Sequence, residues 1–132
     1  MSIDFIIITP SSYSIEVFYD RFSNNLFVQL QDNKRIAIEI NNRFVFLEEW
    51  MPSEAELKLF FETLDQEDFR VIFKQMSNPK YFILTGGNHS LLYPIVKMVC
   101  NDPNILIDIN LEKSPLFWGN QIVSLIRDQE LK

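Results

Sequence analysis

The chain has little of the chemistry that catalysis and metal binding usually require, with one histidine and one cysteine in 132 residues. A single cysteine excludes an intramolecular disulfide, and Cys100 lies in an apolar run, which indicates a buried thiol in a reducing compartment. One His and one Cys do not supply the usual zinc ligand sets, and the carboxylates lack the spacing of a calcium loop. A Ser-His-Asp or Cys-His arrangement would have to use His89. We therefore predict no metal, no cofactor and no enzyme activity.

Long hydrophobic runs are also missing. The apolar run at residues 5–8 is short and lacks the basic flank of a signal peptide. A membrane-spanning helix needs about 18 or more apolar residues in succession, and every apolar run in the sequence is much shorter. The sequence thus predicts a cytoplasmic protein with no membrane partner.

Basic residues are scarce and scattered. The chain has 12 Lys and Arg against 18 Asp and Glu, which gives a formal net charge of −6. No basic helix or stripe of bases interleaved with aromatic residues is present, although nucleic-acid-binding modules typically carry one. We predict no direct contact with nucleic acid.

Apolar material is plentiful, at 47% of the residues with twelve Phe. This composition and length are typical of one globular domain, which we predict to span residues 1–132.

The first fifty residues have the composition of antiparallel strands separated by turns. We predict five strands, at residues 3–9, 14–19, 26–31, 35–40 and 43–47. Asp32-Asn33-Lys34 fits a tight hairpin. Asn41-Asn42 fits a two-residue primed turn, because Asn tolerates the positive φ that such a turn requires.

A helical period follows the strands. Ser53 and Glu56 have the spacing of a capping box, and apolar residues recur at positions 57, 60, 61 and 64. A second helix is predicted to begin at Asp65 and to end at Asn78-Pro79, although residues 70–73 would also fit a strand.

The last third predicts a strand at 81–85, a helix to about Cys100, a strand at 105–111 and a final helix that opens at Ser114-Pro115. A strand, a helix and a strand in succession favour parallel pairing in one sheet through a right-handed crossover. The predicted fold class is α+β. It combines a mostly antiparallel sheet from an N-terminal strand meander with a C-terminal β-α-β-α unit, and the helices pack on one side.

Negative charge is concentrated in residues 48–68, which hold eight of the eighteen carboxylates and one base, Lys58. Acids in the first turn of a helix are favoured by the helix dipole, which accounts for part of this stretch. The dipole does not account for the near absence of bases. A field of one sign attracts a partner of the opposite sign. We predict that a basic partner binds here, against the alternative of a merely solvated surface, at Glu48, Glu49, Trp50, Glu62, Asp65, Glu67 and Asp68.

The two tryptophans each allow two interpretations. Trp50, flanked by acids, would suit an interface anchor, but it would equally plug the sheet edge beneath the first helix. Trp118 falls in the first turn of the predicted last helix. We favour a core position for both.

Gly86, Gly87, Asn88 and His89 form the most enzyme-like segment. Two glycines between a strand and a helix let backbone amides approach an anion, with His89 beside them as an acid or base. The spacing matches neither the dinucleotide fingerprint nor the phosphate loop. A plain turn is the alternative to a ligand site here.

In size, acidity and lack of catalytic residues, the chain resembles the small cytosolic immunity proteins and antitoxins of bacteria, which neutralise nucleases by covering their basic clefts. That resemblance of character implies a non-catalytic inhibitor of a basic partner, such as a toxin nuclease. Two alternatives stay open: a small enzyme or ligand-binding domain that uses the Gly86-Gly87-Asn88-His89 turn, and a structural or adaptor subunit that associates through apolar surface.

Overall fold

The computed structural model describes residues 3–32, 34–62, 78–99, 102–108 and 117–118. In chain order these residues form β1 Ile3–Thr9, α1 Ile15–Ser23, β2 Phe27–Gln31, β3 Arg35–Ile40, β4 Arg43–Trp50, α2 Glu54–Glu62, β5 Lys80–Gly86, α3 His89–Val99, β6 Leu106–Asp108 and β7 Phe117–Trp118.

The described strands form one seven-stranded sheet in the order β2-β3-β4-β5-β1-β6-β7. Every neighbouring pair is antiparallel. The α+β class and the antiparallel sheet are therefore confirmed. The strands β5 and β6 share the sheet and run in the same direction, as predicted. They do not pair directly, because β1 lies between them and pairs with both.

Side chains along each strand alternate between two faces of the sheet. On β1, Phe5 and Ile7 belong to one buried cluster and Ile8 belongs to another. We call the side that carries Phe5 the first face and the side that carries Ile8 the second face. The first face packs against buried residues of α1 and α3, namely Ile15, Phe18, Phe22, Leu91, Leu92, Tyr93, Ile95 and Val96.

The second face is contacted by α2, through Leu57 and Phe60. The prediction that the helices pack on one side thus holds for α1 and α3 and not for α2. None of the described helices is long and apolar enough to span a membrane.

The strand predicted at residues 14–19 is wrong, because this segment is the start of α1. Its β-branched and aromatic residues favour strands, but Ile15, Phe18 and Phe22 recur at helical spacing and are buried. Ser14 caps the helix, since its Oγ accepts the backbone N–H of Val17 at 3.3 Å.

Both predicted hairpin turns are present in the structure. Asn41 and Asn42 have φ angles of 52° and 62° between the paired residues Ile40 and Arg43, as a type I′ turn requires. The turn from β2 to β3 contains Asp32 with a φ of 54°.

The predicted capping box opens α2. The Oγ of Ser53 accepts the backbone N–H of Glu56 at 3.2 Å, and the Oε1 of Glu56 accepts the backbone N–H of Ser53 at 3.2 Å. These two bonds satisfy donors that the helix itself leaves unpaired.

The second predicted helix, from Asp65, lies outside the described residues, as does Ser114-Pro115. Phe117 and Trp118 are described, and the prediction that Trp118 lies in the first turn of a helix is wrong. They form β7, which pairs with β6. Aromatic residues favour extended backbone, and the ladder to β6 supplies hydrogen bonds that a helix would otherwise provide.

Candidate functional site

The acidic stretch is exposed wherever the structure describes it. Its described carboxylates are all exposed side chains, at Glu48, Glu49, Glu54, Glu56 and Glu62. The other predicted binding acids, Asp65, Glu67 and Asp68, lie outside the described residues. We call the five described carboxylates the acidic surface.

The carboxylates of the acidic surface are not neutralised by bases in the described part of the chain, since none of them forms an ion pair there. Arg35 lies opposite Glu48 on the neighbouring strand, but its guanidinium stacks over the ring of Phe46, with Cζ 3.9 Å from the centroid. Lys58 is exposed on α2. The negative field of these carboxylates is therefore open to a partner.

The strand geometry separates the two acids at the end of β4. Glu48 has the parity of Trp50, which packs on the second face with α2. Glu49 has the parity of Val45 and Leu47, whose side chains lie in the first-face core. Adjacent strand residues point to opposite faces. The structure thus brings Glu48 to the side of the sheet that carries α2 and puts Glu49 on the other.

Trp50 fastens α2 to the sheet. Its ring centroid lies 5.8 Å from that of Phe60 and 5.9 Å from that of Tyr81, both in edge-to-face arrangement. Phe60 and Tyr81 contact each other in the same way at 6.5 Å. Edge-to-face contacts of this kind add to the stabilisation from burial alone. These contacts support the core interpretation of Trp50 over a free interface anchor.

Two apolar side chains at this end of the molecule are exposed instead. Met51, between β4 and α2, is 84% exposed, and Leu59 on α2 is 65% exposed. Met51 adjoins Trp50, whose sequence context suits an interface anchor, whereas Leu59 is not among the predicted site residues. The sequence does contain a signal that Leu59 is exposed, because it lies outside the helical series of apolar residues at positions 57, 60, 61 and 64.

The Gly86-Gly87-Asn88-His89 segment joins β5 to α3, and packing explains its first residue. Gly86 is buried, and a Cβ atom there would lie 2.7 Å from Cδ2 of Leu92. Glycine therefore permits close contact between strand and helix. Gly87 is exposed, and His89 is the first residue of α3.

Capping explains Asn88. Its Oδ1 accepts the backbone N–H of Leu91 at 3.0 Å, which satisfies one donor at the start of α3. A turn and a helix cap thus account for Gly86 and Asn88 without a ligand.

A polar cluster that the sequence analysis missed joins α1 to the turn before β6. The hydroxyl of Tyr13 donates a hydrogen bond to Oδ2 of Asp102, and Nη1 of Arg21 lies 3.2 Å from the same oxygen. The backbone N–H of Asn104 donates to Oδ1 of Asp102 at 2.8 Å. Tyr13 and Asp102 are 89 positions apart, so no local sequence pattern could have indicated this cluster.

The electrostatics of the cluster indicate a structural role. Burial acts to raise the pKa of Asp102, but the hydrogen bonds from Tyr13, Asn104 and Arg21 outweigh it and hold the pKa below its ordinary value. Burial, together with the hydrogen bond to Asp102, raises the pKa of Tyr13. Asp102 is thus an ionised acceptor whose oxygens are both engaged, and such a group is a poor general base. The cluster holds α1 against the turn.

The described residues contain no group of three His, Cys, Asp or Glu side chains that could hold a metal ion. The exposed carboxylates on α2 and β4 are the described feature on which we base a functional proposal. Compared with known proteins, the chain matches no protein-family model, no curated protein and no solved structure.

Proposed function

We propose that the protein is a non-catalytic binding protein that neutralises a basic protein partner through the acidic surface. The observation that supports this proposal is that all five carboxylates of the acidic surface are exposed and that none of them pairs with a described base. Opposite charges four positions apart stabilise a helix, and Lys58 is at that spacing from both Glu54 and Glu62, but it forms no ion pair with either. On α2 Lys58 is the one base among three acids.

The chemistry of the acidic surface suits arginine and lysine side chains. Carboxylates accept short charge-assisted hydrogen bonds from guanidinium and ammonium groups. Complementary charge also accelerates the encounter of two proteins. The exposed side chains of Met51 and Leu59 supply apolar contact area at the same end of the molecule, and methionine is enriched in interfaces.

Within this class, the partner we propose is a toxin nuclease, so that the protein would act as an immunity protein or antitoxin. A nuclease cleft is positive because its substrate is a polyanion. An acidic protein surface that covers such a cleft excludes the nucleic acid, because its carboxylates bind the basic side chains that would otherwise bind the phosphates.

The test is capture of a partner from lysate by the tagged protein, with two charge-reversed variants beside the wild type. The first variant carries Glu54→Lys and Glu62→Lys on α2. The matched control carries Glu16→Lys and Asp20→Lys, which reverse two exposed acids on α1 and change the net charge by the same amount. Glu56 is left intact because it forms the capping box.

We expect a basic protein to be captured by the wild type and by the α1 control and to be lost with the α2 variant. Circular dichroism checks that all three proteins are folded. Equal capture by the two variants, or no basic protein on the wild type, would refute the proposal. If the captured protein is a nuclease, its activity on DNA or RNA with and without the wild-type protein tests the finer proposal.

A further inference from the structure

Among the described strands, β2 stands at one end of the sheet and lacks the features that usually protect a sheet edge. Such edges commonly carry charges, prolines or bulges, because their unpaired N–H and C=O groups would otherwise pair with another chain. β2 has the sequence FVQLQ, without a charge or a proline. Among the described strands longer than two residues it is the only uncharged one. Phe27, at its start, is 80% exposed.

The register of the neighbouring strands shows which backbone groups of β2 face outward. Ile40 and Arg43 close a two-residue hairpin, so they are a hydrogen-bonded pair. In an antiparallel sheet, the backbone groups of successive residues form hydrogen bonds alternately with the strand on one side and the strand on the other. Ile40, Ile38 and Ile36 therefore bond to β4. Glu39, Ala37 and Arg35 bond to β2.

The partners of those intervening residues are Phe27, Gln29 and Gln31. Their backbone groups point into the sheet. The N–H and C=O groups of Val28 and Leu30 therefore point away from β3, to the side of β2 on which no described strand pairs.

We propose that β2 pairs with β2 of a second copy of this chain, antiparallel and about a two-fold axis at Gln29. Val28 then lies opposite Leu30 of the second copy, and the outward N–H and C=O groups of both residues form hydrogen bonds. The two sheets join into one continuous sheet. The assembly stops at two copies, because each copy uses the same edge for the contact and has no second β2 edge to offer.

Side chains beside the edge are compatible with this pairing. An open depression of about 280 Å³ lies next to it, lined by Phe27, Val28, Gln29, Ala37, Glu39 and Phe44. The two-fold axis places Gln31 of the second copy opposite Phe27, at the mouth of this depression. The pairing would cover part of the exposed Phe27 ring.

A second copy is the occupant that the symmetry of the edge fits, because Val28 and Leu30 flank Gln29 at equal distances and therefore face each other across a two-fold axis. A chain with a net charge of −6 repels its own copies, but β2 meets itself without a like-charged pair. The helix α2 packs on β1, β4, β5 and β6, through Ile8, Trp50, Tyr81 and Leu106. The strand β4 is the nearest of these to β2, at two spacings or about 10 Å, which exceeds the screening length of about 8 Å at physiological salt. The dimer therefore keeps the two α2 helices apart and free to bind partners.

The test is the molar mass of the purified protein in solution over the micromolar range, measured by light scattering after size exclusion. The main variant is Gln29→Lys, which puts two like charges on the two-fold axis. Gln29 is exposed, and its neighbour on β3 is the small Ala37, so the lysine fits in the monomer. The matched control is Gln29→Asn. Val28→Pro removes one outward N–H group and is tolerated best at a sheet edge.

We expect the wild type and Gln29→Asn to have twice the chain mass of 15.6 kDa. Gln29→Lys and Val28→Pro should have the mass of one chain, with unchanged circular dichroism for Gln29→Lys. A monomeric wild type, an open series of larger species, or a Gln29→Lys variant that is as dimeric as the wild type would overturn the proposal. The dimer does not rest on the proposed function, because Gln29 lies outside the acidic surface.

Discussion

The two faces of the sheet differ in how completely they are covered. On the first face, side chains such as Phe5, Phe82 and Leu84 are 0% exposed beneath α1 and α3. On the second face, α2 covers residues of β1, β5 and β6, whereas Phe27 on β2 and Phe44 on β4 are 80% and 57% exposed. The first face supplies the stability of the fold. The second face carries the acids of α2 and the exposed aromatic rings, where we place the contacts with other proteins.

The largest difference between the faces should appear when a phenylalanine is truncated on each. Phe82 lies on the first face, 5.0 Å from Phe18 between ring centroids, and Phe82→Ala should lower the free energy of unfolding by about 3–5 kcal/mol. Phe44→Ala on the second face should change it by about 0.5 kcal/mol or less. Urea unfolding of the two variants, at a concentration where both are monomeric, measures this contrast. Similar losses would show that the faces do not differ as described.

The polar cluster on the α1 side of the sheet should make stability depend on pH. Asp102→Asn removes a charged hydrogen-bond acceptor and should cost about 1.5–3 kcal/mol at neutral pH. The folded-state pKa of Asp102 lies below its ordinary value of 3.8, so the unfolded chain binds the proton more readily. The stabilisation is therefore complete above that value and is lost as the pH falls through the folded-state pKa.

Thermal or urea unfolding of wild type and Asp102→Asn across the acidic range measures this dependence. We expect the gap between them to narrow as the pH falls below 3.8. A gap of constant size from neutral to acidic pH would mean that the charge of Asp102 contributes nothing.

The close contact between β5 and α3 provides another test of how tightly the first face is packed. Gly86→Ala places a methyl group 2.7 Å from Cδ2 of Leu92 in the first-face core, and it should cost about 1–3 kcal/mol through overpacking. Gly87→Ala is the matched control, because its methyl group would lie at an ordinary 3.8 Å from Leu91. Denaturant unfolding of both variants measures the difference. If Gly87→Ala were the more damaging change, packing against Leu92 would not explain Gly86.

The smallest effect is expected from the cap of α2 on the second face. Ser53→Ala removes the acceptor for the backbone N–H of Glu56 and should cost about 1 kcal/mol. Hydrogen exchange should show the loss mainly within Glu54–Glu62, with little change in α1 and α3. Glu56→Gln is the control, since glutamine also serves in a capping box. Faster exchange spread evenly over both faces would contradict this local role.

Local signals made much of the fold predictable. The Asn41-Asn42 turn and the box of Ser53 and Glu56 each depend on residues within four positions, and both are present. The strand at Arg35–Ile40 was predicted with the bounds that the structure has. The prediction at α1 is wrong because its β-branched and aromatic residues favour a strand, whereas the Ser14 cap and the helical spacing of its buried residues stabilise a helix.

Contacts between distant segments could not be predicted. No pattern within the sequence indicates that β1 lies between β5 and β6, or that Tyr13 and Arg21 meet Asp102. The exposure of the acidic surface depends in the same way on which bases fold near it. Charge counting located the acidic stretch, and only the structure showed that Arg35 stacks on Phe46 rather than pairing with Glu48.

The most direct measurement is the salt dependence of the dissociation constant between the wild-type protein and the basic partner captured through α2. Added salt screens exposed charges, so we predict that the affinity of the wild type falls steeply as sodium chloride is raised. The variant with Glu54→Lys and Glu62→Lys should bind more weakly at low salt and respond less to added salt. A dissociation constant that is the same for both proteins and unaffected by salt would contradict a role for the acidic surface in binding.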